Sequence, residues 1–211
     1  MADALAAFLD AASTAQHLLE CRELAERWQQ DSVLPQFPVA ALAGHLLRGM
    51  TTVEQYLEGP ELDEAGISAA RYFHTVIRSA DINDPAHQAI RNRGADAAAG
   101  GPAALAAEAR AALGRLSSRL AGVGAGRRLR VAGGLVMTLD EYLRTRVVEL
   151  IVHADDLAAS LGVESPPPRP ATCAVAIDVL VGVARIRHGD MAVLRALARR
   201  ERDPVQALRV L

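Results

Sequence analysis

The chain contains no lysine; all 23 of its basic side chains are arginine, set against 25 carboxylates. Nothing physical requires every lysine to be missing. Together with the abundant alanine, the bias reads as the coding habit of a GC-rich genome. Aromatic residues are also scarce, at 3%. The net charge of -2 argues against a nucleic-acid binder, which needs a basic surface to track phosphates. No apolar run is long enough to span a bilayer, so no membrane partner is expected. The N-terminal stretch carries acidic residues and no basic segment, which argues against a signal peptide and for a cytoplasmic protein. Only two cysteines occur, Cys21 and Cys173, far apart in sequence. They read as free thiols packed in helical surroundings, too few for a cysteine-based zinc site.

What the chain does have is helical periodicity. Of 211 residues, 51% are hydrophobic, enough for one full core. The spacing predicts an all-α fold in a single domain, with residues 1–162 as the main bundle and 163–211 as a helical extension. A first helix is expected over 4–29, and a turn-rich link over 31–38. A second helix begins at Pro38, whose missing N–H costs nothing in a first turn. It carries Val39, Leu42, Leu46, Met50, Val53 and Leu57 at core spacing and stops at Gly59-Pro60. A third helix is expected over 61–80. Residues 81–101 are ambiguous, punctuated by Asp84-Pro85 and Gly100-Gly101-Pro102. An alanine-rich helix follows over 102–120. No segment reads as a sheet strand, though 122–131 suits a loop or a short extended piece. Its glycines do not follow the phosphate-cradling pattern. Further helices are expected over 171–187 and on to about residue 200. Their apolar faces suit a homodimer.

The most informative helix runs over 138–161. Thr138 and Glu141 form a capping box at its start. Gly162 and the prolines at 166–168 end it. Leu143, Val147, Leu150, Ala154, Leu157 and Leu161 form a core seam, and Val148, Ile151 and Val152 cover much of the rest. Between them lies a polar stripe: Arg146, Glu149, His153, Asp156 and Ser160. A helix apolar nearly all round belongs inside a bundle, so the stripe is expected to be buried or to face a cavity. Buried polar groups must be paired or bound to a metal. Glu149 and His153, four residues apart, point the same way and suit one metal ion as co-ligands. His45, beside the seam residues Leu42 and Leu46 of the second helix, is the candidate third ligand. Two imidazoles and a carboxylate make a three-ligand set with open positions, the pattern of a catalytic zinc site. The bland alternative is a half-buried His45 bonded to a carbonyl.

Asp156 is placed to accept a hydrogen bond from the second nitrogen of a ligating histidine. Arg146 is placed to pair with Glu149 or Asp156, or to bind a substrate carboxylate. His17, His74, His87 and His188 read as surface or loop residues. The pairs Arg127-Arg128 and Arg199-Arg200 read as solvated surface.

Two stretches carry a family resemblance. Leu34-Pro35-Gln36-Phe37-Pro38-Val39, followed by His45-Leu46, resembles the first motif of the mycothiol-dependent maleylpyruvate isomerase family. There it runs roughly Leu-Pro-Gly-Trp-Thr-Val and then His-Leu. Arg146, Glu149, His153, Asp156 and Leu157 match the second motif, Arg-x-x-Glu-x-x-x-His-x-x-Asp-Leu, at five fixed positions in one helix. Phe37 stands where tryptophan is usual, Gln36 where glycine is usual, and Ala41 where an acidic residue is common. The resemblance implies a DinB-like four-helix bundle with short additional C-terminal helices. It implies that His45, Glu149 and His153 are zinc ligands, and that mycothiol is a small-molecule thiol partner. A metal-held thiolate adding to an electrophilic substrate would give cis–trans isomerisation or S-transfer. Metal-dependent hydrolysis, and a non-catalytic metal-binding or dimerisation module, are the competing readings.

Overall fold

The computed structural model describes residues 3–77, 81, 83–198, 201 and 208. Among them the fold is all-α apart from one small hairpin. Four helices form the bundle: α1 (Ala4–Leu19), α3 (Val39–Leu57), α6 (Gly101–Leu120) and α7 (Leu139–Leu161). Helix α1 packs on α6 and α7, and α3 packs on the same two, closing a four-helix ring. The short α2 (Arg22–Glu26), α4 (Ala69–Val76) and α5 (Pro85–Ala97) decorate it. Two C-terminal helices, α8 (Pro170–His188) and α9 (Asp190–Ala198), complete the chain; α8 lies against α7, α4 and α1. No helix among the described residues is long and apolar enough to cross a membrane.

The expected 4–29 helix is in fact broken. Helix α1 stops at Leu19, and Cys21 turns extended to start α2. No glycine or proline marks the break. It re-aims the chain so that Leu24 is buried and Arg27 reaches the Ser160 carbonyl at the far end of α7. Of the expected 61–80 helix, residues 61–77 hold only α4, and 78–80 lie outside the described residues. The Ile67 N–H is spent on the Val136 carbonyl, and a Cβ on Gly66 would lie 3.2 Å from the Thr138 nitrogen. Residues 61–67 therefore lie extended against the segment that leads into α7.

That segment is the hairpin, the second departure from expectation. Strands β1 (Arg128–Arg130) and β2 (Val136–Thr138) pair antiparallel, with Leu129 opposite Met137. Both are fully buried, so each three-residue strand contributes one apolar plug to the core. Gly133 and Gly134 take positive φ in the turn, where other residues are strained. Arg127 is not a solvated cation. Its Nη2 donates to the Leu57 and Gly59 carbonyls and so caps the end of α3. Arg128 likewise reaches the Leu62 carbonyl. The Arg199-Arg200 pair lies outside the described residues.

The ambiguous 81–101 segment resolves into α5. Asp84 caps it by accepting from the Ala86 N–H, with Pro85 in the first turn. Its surface is mostly polar, which hides its periodicity. Two glycines hold it. A Cβ on Gly44 would lie 2.0 Å from the Gly94 carbonyl oxygen, and one on Gly94 would lie 2.3 Å from that of Ala41. The α3 and α5 backbones thus touch where any side chain would separate them. Gly44→Ala should push α5 off α3 and cost about 3 kcal/mol, the upper end for overpacking a tight contact. Urea unfolding of that variant against the wild type measures it.

Candidate metal centre

Helix α7 is placed by its apolar faces. Leu143, Val147, Leu150, Leu157 and Leu161 are all at least 98% buried and together contribute on the order of 10 kcal/mol. That outweighs the cost of drawing a polar stripe against α3. Thr138 starts the helix by accepting from the Glu141 N–H. The return half of the capping box is not made. The Glu141 carboxylate instead accepts from the Ala69 N–H at 2.6 Å and starts α4. Gly162 ends α7 in the left-handed conformation, as expected.

His45, Glu149 and His153 converge. His45 Nε2 lies 3.1 Å from Glu149 Oε2, and His153 Nε2 lies 3.5 Å from the same oxygen. One donor atom from each residue falls within 4.8 Å of the others. Donors at about 2.0–2.1 Å from a tetrahedral zinc are separated by about 3.3 Å, so the trio is already near a coordinating arrangement. The two imidazole rings stand edge to face, 4.8 Å between centroids. The three side chains are 17%, 20% and 22% exposed. They are mostly covered, yet not closed to an outside group.

Asp156 lies against His153. The Nδ1–H of His153 donates to Asp156 Oδ2 at 3.0 Å, which directs Nε2 at the trio. Burial alone would lower the pKa of His153. The Asp156 and Glu149 carboxylates overcome it and raise the value to about 9. Burial pushes His45 down, only partly opposed by Glu149. Burial would raise Glu149. Hydrogen bonds from His153 and His45, with the charge of Arg146, hold its carboxyl well below the usual range.

Ser160, the last member of the stripe, ties down the link before α3. Its Oγ donates to the Asp156 carbonyl and accepts from the Val33 N–H. Gln36 sits in that link at φ 59°, the left-handed region, where glycine is the least strained residue. Phe37 stacks edge-on against His45 at 5.8 Å. Arg146 makes no ion pair with Glu149 or Asp156. It is buried, donates from Nε to Thr145 Oγ1 and lies over the Tyr142 ring. Sequence reasoning missed the tyrosines around it, because they come from three helices. His17 and His188 are exposed as expected. His74 is half-buried, and its enclosed Nδ1 has no hydrogen-bond partner among the described residues. Cys21 and Cys173 are free and lie outside the trio.

Replacing His153 by Ala should abolish stoichiometric metal binding, read by metal analysis of purified protein. A metal ion competes with a proton for His153, whose pKa is raised to about 9. Zinc affinity should therefore climb about tenfold per pH unit between pH 6.5 and 8.5, measured with a competing chelator. Asp156→Asn should weaken affinity roughly 10–100-fold and, by lowering the His153 pKa, flatten that pH dependence.

The profile of the mycothiol maleylpyruvate isomerase N-terminal domain matches residues 2–158, which include all three members of the trio and Asp156. No curated protein and no solved structure matches the chain. A match over most of the 211 residues, with both motifs inside it, settles the relationship: the chain belongs to the mycothiol maleylpyruvate isomerase N-terminal domain family.

Proposed function

We propose that this protein is a zinc enzyme that uses mycothiol to attack an electrophilic substrate. The observation that carries the reading is the convergence of His45, Glu149 and His153 with Asp156 behind them. These residues hold the ion, and Asp156 is a positioning residue that keeps the second nitrogen of His153 protonated. Zinc, when bound, supplies the charge that keeps a thiol ionised near neutral pH. Two nitrogens and one oxygen leave room for an outside donor, and a soft thiolate is a good partner for zinc. The thiolate sulfur adds to an electrophilic carbon. Bond rotation and re-expulsion of the thiol give a cis–trans isomerase, while a lasting adduct gives an S-transferase.

Hydrolysis is less favoured because Asp156, the nearest further carboxylate on the stripe, is engaged by His153. An internal thiol is disfavoured because neither cysteine joins the trio. Two free cysteines fit a cytoplasmic setting. We read residues 163–211 as an extension of the same domain, supported by the packing of α8 on α7. The outer faces of α8 and α9, where Ile177, Met191, Leu194 and Leu197 are more than half exposed, support a homodimer.

The zinc-loaded protein, incubated with mycothiol and chlorodinitrobenzene, should consume thiol only when metal is present. Glu149→Gln should weaken metal binding and turnover together, whereas Cys21→Ser with Cys173→Ser should leave both intact. Ester turnover without thiol would overturn the reading. So would a folded, zinc-loaded double cysteine variant that is inactive.

A further inference from the structure

Arg146 stands one turn before Glu149 on the α7 stripe and outside the metal trio. It is only 9% exposed. Its Nε donates to Thr145 Oγ1 at 3.1 Å, and its Cζ lies 5.0 Å from the Tyr142 ring centroid. Its two terminal nitrogens make no hydrogen bond, and it forms no ion pair, among the described residues. Glu149 is near enough for its charge to act on Arg146, but its carboxylate is committed to the two imidazoles. These terminal nitrogens are not among the enclosed unpartnered atoms; they open outward, where an anion can reach a cation that is otherwise largely desolvated.

The second observation is independent. The chain has only three tyrosines: the Tyr142 ring of α7 faces this guanidinium, the Tyr56 ring of α3 stands edge-on against Tyr142 at 5.3 Å, and Tyr72 of α4 is near enough for its charge to act on Arg146. Tyr142 presents its ring to the cation, and its hydroxyl donates to Thr52 Oγ1 at 2.9 Å. The hydroxyls of Tyr56 and Tyr72 make no hydrogen bond among the described residues. Three helices have therefore brought tyrosines into the neighbourhood of one cation and left two of the hydroxyls unspent.

We infer that Arg146, with the unspent hydroxyls of Tyr56 and Tyr72, is a carboxylate-binding subsite that holds the electrophilic substrate beside the metal centre. Two terminal guanidinium nitrogens present parallel donors that match the two oxygens of a carboxylate, a fit that a point-charge ammonium cannot make. Residues three apart on a helix share a face, so a carboxylate anchored here leaves its neighbouring carbons next to the metal ligands. Naming the ligand as the electrophile rests on the thiol reading above; the subsite itself does not.

The test uses an unreactive probe, 3-phenylpropanoate, with its uncharged isostere 3-phenylpropanamide, titrated into the zinc-loaded protein by ligand-observed NMR. The acid should bind at least tenfold more tightly than the amide. Arg146→Gln should abolish that preference, and Tyr72→Phe should reduce it several-fold with zinc content unchanged. Arg146→Lys, which keeps the charge and guards against misfolding, should still lose most of it. The preference should survive saturating 2-mercaptoethanol, and the visible spectrum of the cobalt-loaded protein should not change on adding the acid. An equal preference in folded, zinc-loaded Arg146→Gln overturns the subsite. So does a cobalt spectrum that shifts with the acid, or a preference lost to 2-mercaptoethanol, since either puts the carboxylate on the metal. If instead the acid preference holds but thiols leave the cobalt spectrum untouched, the thiol reading fails while the subsite stands.

Discussion

A carboxylate drawn between two helices must be given a positive or proton-donating partner, and the arrangement around Glu149 follows from that. Burial alone would neutralise it. Two imidazoles, one from its own helix and one from α3, keep it ionised. The same contacts fix how α3 and α7 face each other, since His45 reaches Glu149 only when the edge of α3 beside Leu42 and Leu46 meets the stripe on α7. The apolar seams supply most of the free energy of packing. Being non-directional, they tolerate several rotations of one helix on the other. The Glu149 contacts select one.

The rotation of α3 is also supported from behind. The Gly44–Gly94 contact lies beside His45, and a Cβ on Gly94 would come within 3.3 Å of the His45 backbone nitrogen. Helix α5 thus acts as a backing plate for the segment that carries the ligand. In front, Ser160 holds the link through the Val33 N–H, and Phe37 lies against the His45 ring. The backing needs a carbonyl contact and the front needs hydrogen bonds and a ring edge. None of these is a hydrophobic-pattern feature, although all of them govern where one imidazole points.

This explains what was legible in the sequence. Helix α7, its caps and the members of its stripe followed from 3.6-residue periodicity and from Thr138 and Gly162, because a buried amphipathic helix writes both into its residues. His45 followed from its place beside the α3 seam. What failed to show depends on contacts between distant segments. The break at Cys21 has no local signal and serves Leu24 and Arg27. Residues 61–67 carry helix-compatible residues but spend a backbone donor on β2. The hairpin strands are three residues long, too short for alternation to register. Helix α5 is polar enough to hide its period, and its Gly94 weakens it further as a local helix former while supplying the contact that holds it. Arg127 read as surface because adjacent arginines usually are, whereas its partners are the carbonyls left over at the end of another helix.

Along α7 the stripe alternates in sign: Arg146 positive, Glu149 negative, His153 able to carry a proton, Asp156 negative. Each member lowers the cost of burying its neighbour. Removing one from such a row leaves the next with uncompensated charge, so the effects of single changes need not add. On the reading proposed above, a metal ion held by the trio would draw on Glu149 and take the place of the His153 proton, leaving Arg146 with less negative charge from its own helix. An anion at Arg146 would then have more to gain, and the two binding events would favour each other through Glu149.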